Sequence, residues 1–477
     1  MNFARDVVDA SPPDRPALVA LGRDGSRREI AFGEVADRSA RLAGTLQARG
    51  VDRGDVVLTL VGNRPEWVEA MVACFRIGAV ALPCNEQLRA RDLRQRLAVA
   101  RPALIVVDER NLGELEAASP DCPALVIPDE RLYDADPAPA VELASEDPCL
   151  IVFTSGTSGE PKAVVHVQRY LPGQHAQAQH WFGPRAGELA WCTAASGWSK
   201  SARNVFIAPW LCGATALLHD GRFDPHERLD LLERERVAVL CMAPTEYRVI
   251  AMRAQPRRIE GLRGLVAAGE ALDPETLGAW REATGLEIRD GYGQTETGQT
   301  TGNPVGLPAR PGSMGKPLPG MRLWVEEGEL LLDPTTVPTF FGQYLGGPPP
   351  SGTWHTGDRV RQDEDGYLYF EGRSDDVIIS AGYRIGPFEV ESAIVEHPAV
   401  AEAAVVAHPD EERGSVVRAV VVLRDDYHAS DALAAEIQDH VKRQTAPYKY
   451  PRLVDFADDL PKTATGKVRR AALRASG

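Results

Sequence analysis

Apolar runs with strand character alternate with helix-like segments through more than the first half of the chain. The pattern predicts a β-strand over 55–60, a helix over 65–77 and a second strand over 79–82. Six further apolar runs have the same strand character, and they lie at 103–107, 149–153, 163–167, 214–218, 237–241 and 265–268. Strands that alternate with helices in this way favour a parallel sheet covered by helices.

The pattern changes twice towards the C-terminus. Between residues 298 and 352 the sequence turns to Pro, Gly and short alternating stretches, which predict a small antiparallel or barrel-like unit. After Arg373 a strand-like run over 416–423 is followed by a helix around 433–442. These changes indicate that a second domain begins near Asp375.

The predicted fold class is therefore α/β. A large N-terminal domain, residues 1–374, contains parallel and mixed sheets covered by helices and includes a small β-rich, barrel-like subdomain over 299–373. A small α+β C-terminal domain, which the resemblance described below implies to be mobile, covers residues 375–477. The length of 477 residues suits such a division, because one module of ordinary size would be much shorter.

Charge narrows the range of partners. The chain has 53 Lys and Arg against 68 Asp and Glu, a formal net charge of −15. An acidic total argues against a nucleic-acid or anionic-lipid partner, since such surfaces need a surplus of basic side chains. The segment 442–477 reverses this balance with nine basic and three acidic residues. It is either a solvated helix face or a segment that meets phosphates.

Cysteine usage and the apolar runs favour a cytoplasmic location. The seven cysteines include no CxxC pair, which is typical of reduced thiols in a cytosolic protein. The N-terminal residues lack the apolar stretch of a signal peptide. The longest uncharged run, 204–219, is too short for a membrane span and is interrupted by Pro209 and Gly213.

The strongest chemical signal is the segment TSGTSGEPK, Thr154 to Lys162, directly after the apolar run 149–153. Its glycines and hydroxyl side chains allow backbone amides and hydroxyls to converge on an anion, and Lys162 adds a positive charge. A flexible Gly/Ser linker is the alternative. The position after a buried strand and the Pro161-Lys162 ending favour a phosphate-binding loop. His166, just beyond it, is expected to pack beside the loop and not to be catalytic.

Three common site types are absent from the sequence. No GxxxxGK[ST] segment occurs, which removes ordinary P-loop kinases. GYGQTETG, 291–298, is not a dinucleotide-binding fingerprint because Glu296 stands where the third glycine is needed. The GxSxG elbow of serine hydrolases is also missing.

Five motifs in order carry a resemblance to a known family. TSGTSGEPK and GYGQTETG are followed by WHTGD at 354–358, GRSDDVIISAGYRIGP at 372–387 and LPKTATGK at 460–467. Together they resemble the adenylate-forming superfamily, which includes acyl-CoA synthetases, aryl-CoA ligases, peptide-synthetase adenylation domains and luciferases. The segment HVKRQTAPYKYPR, 440–452, is most similar to medium-chain acyl-CoA synthetases.

The resemblance implies an ATP-dependent carboxylate–CoA ligase. A small, medium-chain, branched or aryl acid would react with ATP in the presence of Mg²⁺ to give acyl-AMP and pyrophosphate. CoA, as the second substrate, would then displace AMP and form the thioester. An enzyme that loads a carrier-protein thiol and a non-catalytic nucleotide-binding relative remain alternatives. Nucleic acid is not expected as a partner, and a homodimer is left open.

The resemblance also implies a nucleotide site. The phosphate loop would hold the β- and γ-phosphates through Thr154, Ser155, Gly156, Thr157, Ser158, Gly159 and Lys162. The adenine pocket would contain Gly269, Glu270, Ala271, Asp290, Gly291 and Tyr292, with Tyr292 stacking on the base. Asp358 would accept both ribose hydroxyls with help from Arg373, and Gln294 belongs to the same site. Taken alone, Asp358 could equally satisfy the amides of a turn.

Four residues are implied to carry the catalysis. Thr295 would contact the α-phosphate, and Glu296 would bind Mg²⁺, which prefers oxygen ligands. Lys467 would bridge the carboxylate and the α-phosphate during adenylation and then leave, and Arg384 would support the phosphate charge. Taken alone, Glu296 could cap a helix or pair with an arginine, and Lys467 could be a solvated lysine.

Further residues are implied for the acid, for CoA and for domain movement. Trp198 and Gly293 would line the acyl pocket, although a core tryptophan is an equal alternative for Trp198. Lys200 and Arg203 lie unusually close to this pocket. We expect their side chains to extend outward to solvent, the alternative being recognition of a polar acid or of the CoA phosphates. The resemblance places a hinge at Asp375 and the pantetheine tunnel at Gly382 and Tyr383.

Overall fold

The computed structural model describes most of the chain. The described residues are 1–154, 162–270, 272–373, 376, 378–380, 383–410, 414–445, 449–462 and 468–475.

The strands, in chain order, belong to five sheets. They are β1 (Pro16–Leu21), β2 (Arg27–Ala31), β3 (Val56–Leu60), β4 (Val80–Cys84), β5 (Leu104–Asp108), β6 (Ala124–Ile127), β7 (Pro148–Phe153), β8 (Ala163–Val167), β9 (Leu189–Cys192), β10 (Thr215–His219), β11 (Val239–Met242), β12 (Gly264–Ala268), β13 (Ile288–Gln294), β14 (Gly298–Gly302), β15 (Lys316–Pro317), β16 (Leu323–Glu326), β17 (Glu329–Leu332), β18 (Gln343–Tyr344), β19 (Trp354–Gln362), β20 (Leu368–Arg373), β21 (Ile378–Ser380), β22 (Tyr383–Ile385), β23 (Val400–Asp410), β24 (Gly414–Leu423) and β25 (Leu453–Phe456).

Helices connect and cover these strands. They are α1 (Phe32–Ala48), α2 (Pro65–Ile77), α3 (Ala90–Ala100), α4 (Leu112–Ala118), α5 (Tyr170–Gln177), α6 (Ala208–Leu211), α7 (Pro225–Arg234), α8 (Pro244–Arg253), α9 (Pro274–Thr284), α10 (Pro387–Val395), α11 (Asp431–Gln444) and α12 (Arg470–Ala475). Short π-helical segments lie at Ala4–Asp9, Ala178–Phe182 and Arg203–Ile207, and 3₁₀ turns lie at Glu109–Asn111, Glu130–Tyr133 and Pro334–Thr336.

Two large mixed sheets form the body of the molecule. One has nine strands in the order β15-β14-β13-β12-β11-β9-β10-β1-β2, and the other has seven in the order β18-β8-β7-β4-β3-β5-β6. Most neighbours in the centre of each sheet are parallel, and antiparallel pairs lie towards the edges. The predicted α/β class is confirmed, and the eight strands predicted before residue 270 are present with ends shifted by at most two residues.

The main core lies between and around the two sheets. Helix α2 is buried from Trp67 to Ile77, and its two charged residues in this stretch are paired, Glu69 with Arg38 and Arg76 with Asp9. Trp67 packs edge-on against Phe206, with ring centroids 5.7 Å apart. Burial of several aromatic side chains, each contributing about 150–250 Å², is the main stabilising term for such an interior.

Smaller sheets follow the body. The region predicted to be barrel-like contains an antiparallel sheet of four strands in the order β16-β17-β19-β20. After it come the β21–β22 hairpin and a three-stranded sheet, β23-β24-β25, which packs with α10 and α11 through a separate apolar cluster. This arrangement confirms the α+β character predicted for the C-terminal part.

Two further features of the structure concern the cysteines and the length of the helices. All seven cysteines are free thiols, and five of them are buried. Across the residues with described structure, no helix is both long enough and apolar enough to span a bilayer.

Candidate active site

The ends of the loop predicted to bind phosphate are fixed by the antiparallel pair β7–β8. The Thr154 amide donates to the Lys162 carbonyl at 2.9 Å, so the segment leaves and re-enters the sheet at one point. Lys162 is exposed, and its Nζ lies 5.1 Å from the centroid of the Tyr344 ring. Ser155, Gly156, Thr157, Ser158 and Gly159 lie outside the described residues.

The turn between β13 and β14 lies among several other residues that the sequence implied for a nucleotide site. Strand β13 is parallel to β12, and its carboxyl end carries Tyr292 to Gln294, with Thr295 and Glu296 following in the turn. The carboxyl ends of parallel strands are the usual binding edge of such sheets. Gly293 allows the two strands to approach closely, because a Cβ there would lie 1.8 Å from the Gly298 carbonyl oxygen.

Asp358 on β19 is the meeting point of this turn and the small antiparallel sheet. Its Oδ2 accepts hydrogen bonds from the Tyr292 hydroxyl and from Gln294 Nε2, the latter at 2.9 Å. Its Oδ1 accepts from Arg373 Nη1 on the neighbouring strand β20 at 3.2 Å. Burial raises the pKa of Asp358, while the Tyr292 hydroxyl, the Arg373 charge and the Gln294 amide act in the opposite direction. The carboxylate is therefore held in one orientation by three side chains.

Glu296 points into the same region. The Tyr344 hydroxyl donates to Glu296 Oε1 at 2.9 Å, and Tyr344 lies on β18, which pairs with β8 beside the phosphate loop. Among the described residues Glu296 forms no ion pair with an arginine. Within those residues, the alternative that Glu296 serves to pair with an arginine is therefore wrong. No sequence motif identified Tyr344, because Tyr344 reaches the site through the pairing of β18 with β8, which is far away in sequence.

One further contact links the turn to the WHTGD segment. Trp354 Nε1 donates to Gln294 Oε1 at 3.0 Å, and the Gln294 amide also donates to the Thr356 carbonyl at 2.7 Å. Gln294 therefore positions Asp358 both directly and through the backbone of β19.

The residues implied for adenine lie at the ends of β12 and β13. Glu270 accepts a hydrogen bond from Thr245 Oγ1 at 3.0 Å, and Gly269 has a backbone φ of +109°, which favours glycine. Asp290 is buried, and burial raises its pKa to about 8, so it is protonated at neutral pH. Gly291 follows it in β13. Ala271 lies outside the described residues.

The segment implied for the acyl pocket differs from expectation at two residues. Trp198 is half-buried and is therefore not a core tryptophan. Lys200, expected to extend to solvent, is half-buried and its Nζ donates to the Ala268 carbonyl at the end of β12, so that prediction is wrong. Arg203, expected to extend to solvent, is only 3% exposed, so that prediction is wrong. The helical path from Trp198 turns Arg203 towards the interior, where its stem packs inside the core.

The C-terminal residues are described only in part. Asp375, Gly382 and Lys467 lie outside the described residues, as do the side chains of Tyr383 and Arg384, whose backbone forms β22.

Arg470 is the first residue of α12, in the described segment that follows Lys467, and its contacts show where this segment lies. Burial lowers the pKa of Arg470, but the charges of Glu391, Asp376 and Glu270 outweigh it and raise that pKa. Glu391 binds the guanidinium at 2.7 Å. Because Glu270 belongs to the implied adenine pocket, α12 begins within electrostatic range of the nucleotide site.

The chain is similar to known proteins over nearly its whole length. Residues 5–338 match the family model for the AMP-binding enzyme, and residues 389–467 match that for the AMP-binding enzyme C-terminal domain. The human mitochondrial acyl-coenzyme A synthetase ACSM4 is 39% identical over 99% of this chain and 90% of its own length. The mouse mitochondrial acyl-coenzyme A synthetase ACSM3 is 37% identical over the same shares.

Solved structures give the same result. The anthranilate CoA ligase AuaEII in complex with anthranoyl-AMP is similar at a TM-score of 0.90 and 29% identity, over 100% of this chain and 97% of that one. A benzoate CoA ligase from Burkholderia xenovorans LB400 is similar at a TM-score of 0.89 and 27% identity, over 99% of this chain and 100% of that one.

Proposed function

Because this chain belongs to the AMP-binding enzyme family and is an AMP-forming acyl-CoA synthetase, we propose that the site described above adenylates a carboxylic acid and transfers it to CoA. The observation that carries the proposal is the Asp358 carboxylate, fixed by Tyr292, Gln294 and Arg373 within the turn that also presents Glu296. A carboxylate held in this way can accept both hydroxyls of a ribose.

The first half-reaction needs a cluster of positive charge and donors. A carboxylate oxygen of the acid attacks the α-phosphorus of ATP, the bond to the β-phosphate oxygen breaks, and pyrophosphate leaves. Negative charge grows on the phosphoryl oxygens, and fixed donors stabilise it. Lys162, Thr154 and Thr295 lie along the path assigned to the phosphates, and Lys467 completes the site by bridging the acid and the α-phosphate.

In the second half-reaction the thiol sulfur of CoA attacks the carbonyl carbon of acyl-AMP. A thioester bond forms, and AMP leaves with the bridging oxygen that came from the acid. Lys467 has to withdraw for this step, because CoA approaches the same carbonyl. Gly382 and Tyr383 are proposed to line the route of the pantetheine arm, with Asp375 as the hinge between a body of residues 1–374 and a swinging domain of 375–477.

Magnesium fits Glu296. Mg²⁺ is usually held through one or two carboxylates together with substrate phosphates and waters, so a full set of protein ligands is not needed. In the described parts of the chain, no group of three or more candidate ligands comes together. When bound, the ion would neutralise charge on the phosphates. Glu296, oriented by Tyr344, would supply its protein oxygen.

We propose a cytoplasmic location for this chain, whereas the similar ACSM4 and ACSM3 are named as mitochondrial. A homodimer is compatible with the fold, and size-exclusion chromatography with light scattering tests it.

A panel of acids assayed for AMP and pyrophosphate release, with and without CoA, tests the proposed function. The proposal expects acid-dependent AMP release that needs CoA and produces a CoA thioester, with single-turnover pyrophosphate release when CoA is omitted. Stoichiometric AMP release with a carrier-protein thiol but not with CoA would redirect the proposal to the carrier-loading alternative. No release with any acid would favour a non-catalytic nucleotide-binding protein.

A further inference from the structure

The residues on either side of segment 463–467, which ends in the proposed catalytic lysine, lie next to each other. Val468 forms an antiparallel β-bridge with Lys462, and the Arg469 amide donates to the Pro461 carbonyl at 2.7 Å. The two points at which this segment joins the described structure are therefore fixed relative to one another.

Both flanks of the segment are also held against strand β23. Lys462 Nζ binds Glu402 Oε2 of that strand at 2.7 Å. Leu460 before the segment and Leu473 after it are buried in one small apolar cluster, together with Val406 of β23. An ion pair and an apolar cluster thus attach the flanks to the C-terminal sheet.

Helix α12, which follows the segment, carries two arginines on one face. Arg470 and Arg474 are four residues apart, the spacing that places side chains on the same side of a helix. Arg470 Nη2 donates to both oxygens of Glu391 in α10, at 2.7 and 2.8 Å. Glu391 is buried and also accepts from the Val405 amide of β23 at 2.8 Å. A buried carboxylate therefore fixes α12 to both α10 and β23.

The same face of α12 contacts the residue that follows the proposed hinge. Asp376 comes directly after Asp375 in the chain. Arg474 Nη2 binds Asp376 Oδ1 at 2.9 Å, and Arg470 Nη1 lies 3.9 Å from Asp376 Oδ2. Only 10% of the Asp376 side chain is exposed, so solvent screens these charges weakly. Each oxygen of Asp376 thus faces one arginine of α12.

The chain distances at the two ends of this network are short. Asp375 precedes Asp376 by one residue, and Lys467 precedes Arg470 by three. A rotation at Asp375 that moves Asp376 would therefore move α12 and the attachment point of Lys467 with it. This matters for the chemistry, because a displacement of about 1 Å in a reacting group can lower a rate about a hundredfold.

We propose that Arg470 and Arg474 are positioning residues that couple the hinge at Asp375 to Lys467, so that Lys467 enters and leaves the nucleotide site as a rigid part of the swinging domain. The inference rests on the proposed function and adds the means by which its catalytic lysine is placed. Neither arginine has to contact a substrate, since both act through Lys467.

Arg474 is the better residue to substitute. Its side chain is 35% exposed, whereas loss of Arg470 would leave the buried Glu391 without a counter-charge and endanger folding. In the full-length enzyme, Arg474→Met should lower acyl-AMP formation about tenfold to a hundredfold, measured as single-turnover pyrophosphate release without CoA. Thioester formation from supplied acyl-AMP and CoA should change by less than about threefold, because Lys467 has withdrawn for that step.

Two further variants serve as controls. Arg474→Lys keeps the charge and should retain most of the rate of acyl-AMP formation. Arg257→Met removes an arginine of similar exposure that binds Asp230 in the body at 2.6 Å, and it should change either half-reaction by less than about twofold. An unchanged rate of acyl-AMP formation in Arg474→Met, or equal losses in the two half-reactions, would overturn the inference and leave the proposed function in place.

A double-mutant cycle separates positioning from a general loss of structure. In a Lys467→Ala background, Arg474→Met should lower acyl-AMP formation by less than about a further twofold, because the lysine to be positioned is gone. A further loss as large as that in the enzyme with Lys467 would show that Arg474 does not act through Lys467, and would overturn the inference. If Lys467→Ala alone left acyl-AMP formation unchanged, the result would count against the role of Lys467 in the proposed function.

Discussion

Asp358 illustrates how a single carboxylate can organise a nucleotide site. Tyr292 and Gln294 of β13 and Arg373 of β20 fix its two oxygens. The same contacts hold β13 and β20 in position relative to Asp358. Because the contacts exist before a ligand arrives, a ribose would meet a preorganised acceptor and little ordering would accompany binding.

Asp358→Asn should reduce kcat/KM for ATP about tenfold to a hundredfold, because hydrogen bonds to a charged group contribute roughly 1.5–3 kcal/mol. Steady-state kinetics with varied ATP checks this. The matched control is Glu364→Gln, an exposed carboxylate in the turn between β19 and β20, which should change kcat/KM by less than about twofold. Equal effects of the two substitutions would contradict the role of Asp358.

His166 should make the free energy of unfolding depend on pH in the acidic range. Its pKa is lowered to about 3 by burial and neighbouring cations, whereas the unfolded chain titrates near the ordinary value of 6.5. Between these values the unfolded state binds a proton that the native state does not, so stability rises with pH across this window and is lost on acidification. His166→Phe should reduce the slope of the unfolding free energy against pH by up to about 1.4 kcal/mol per pH unit.

Urea unfolding at several pH values between 4 and 6.5 measures this slope. Tyr170→Phe is the control, because it removes the neighbouring hydroxyl and leaves the imidazole in place. An unchanged slope in His166→Phe would mean that His166 is accessible to protons in the folded protein.

Sequence reasoning at the residue scale succeeded where motifs are local. The WHTGD and GYGQTETG segments identified Asp358, Tyr292 and Gln294 as candidate site residues. The fold brings these three residues into contact. Tyr344 was missed because its contact with Glu296 depends on a strand pairing that no local pattern encodes. The burial of Arg203 was missed because a cation in a short helical segment ordinarily extends to solvent.

At the scale of elements, the β13–β14 hairpin determines the geometry of the site. The two strands approach so closely at Gly293 that no side chain fits between them. The turn that follows carries Thr295 and Glu296, so a displacement of the hairpin would move the residues assigned to the α-phosphate and magnesium together.

Gly293→Ala should destabilise the protein by about 3 kcal/mol and abolish most activity, because the added Cβ would overlap the Gly298 carbonyl. Thermal unfolding and CoA thioester formation measure the two effects. Gly278→Ala in α9 is the control, since the space around that position is open for 4 Å. It should stabilise the helix by about 0.5–1 kcal/mol. Similar effects of both substitutions would show that the hairpin tolerates a side chain.

The elements themselves were largely predictable. Helix α2 has the predicted bounds, because Pro65 begins it and Gly78 ends it in a left-handed conformation. Strands β1 and β2 were not predicted, since β2 is short and mostly polar and β1 gains its place only by pairing with the distant β10. Non-local pairing of this kind leaves little trace in hydrophobic periodicity.

At the scale of the whole molecule, α12 approaches the nucleotide site. Arg470 binds Glu391 and lies within reach of the charge of Glu270, and Arg424 of the C-terminal part lies 3.6 Å from Glu275 of α9. Lys467 precedes Arg470 by three residues.

Lys467→Ala should suppress acyl-AMP formation by about a hundredfold or more, because it removes the cation assigned to the carboxylate and the α-phosphate. Thioester formation from supplied acyl-AMP and CoA should change by less than about threefold. Rapid-quench measurement of both half-reactions checks the division. Equal losses in the two half-reactions would contradict the proposed withdrawal of Lys467.

The α/β architecture could be predicted from the sequence, but the order of the strands within the sheets could not. Alternating strands and helices predicted the α/β body, which the sheets confirm. The domain boundary that the change of pattern after Arg373 indicates stays a prediction. The order of strands in the two large sheets was not predicted, because it depends on crossovers between segments that are far apart in sequence.

Transfer of isotope from the acid to AMP tests the central claim most directly. The best acid from the panel is labelled with ¹⁸O in its carboxylate and converted with ATP and CoA, and the AMP and pyrophosphate are analysed by mass spectrometry. Attack of the carboxylate on the α-phosphorus predicts one ¹⁸O atom in each AMP and none in pyrophosphate. AMP without label, or label in pyrophosphate, would contradict the acyl-adenylate route.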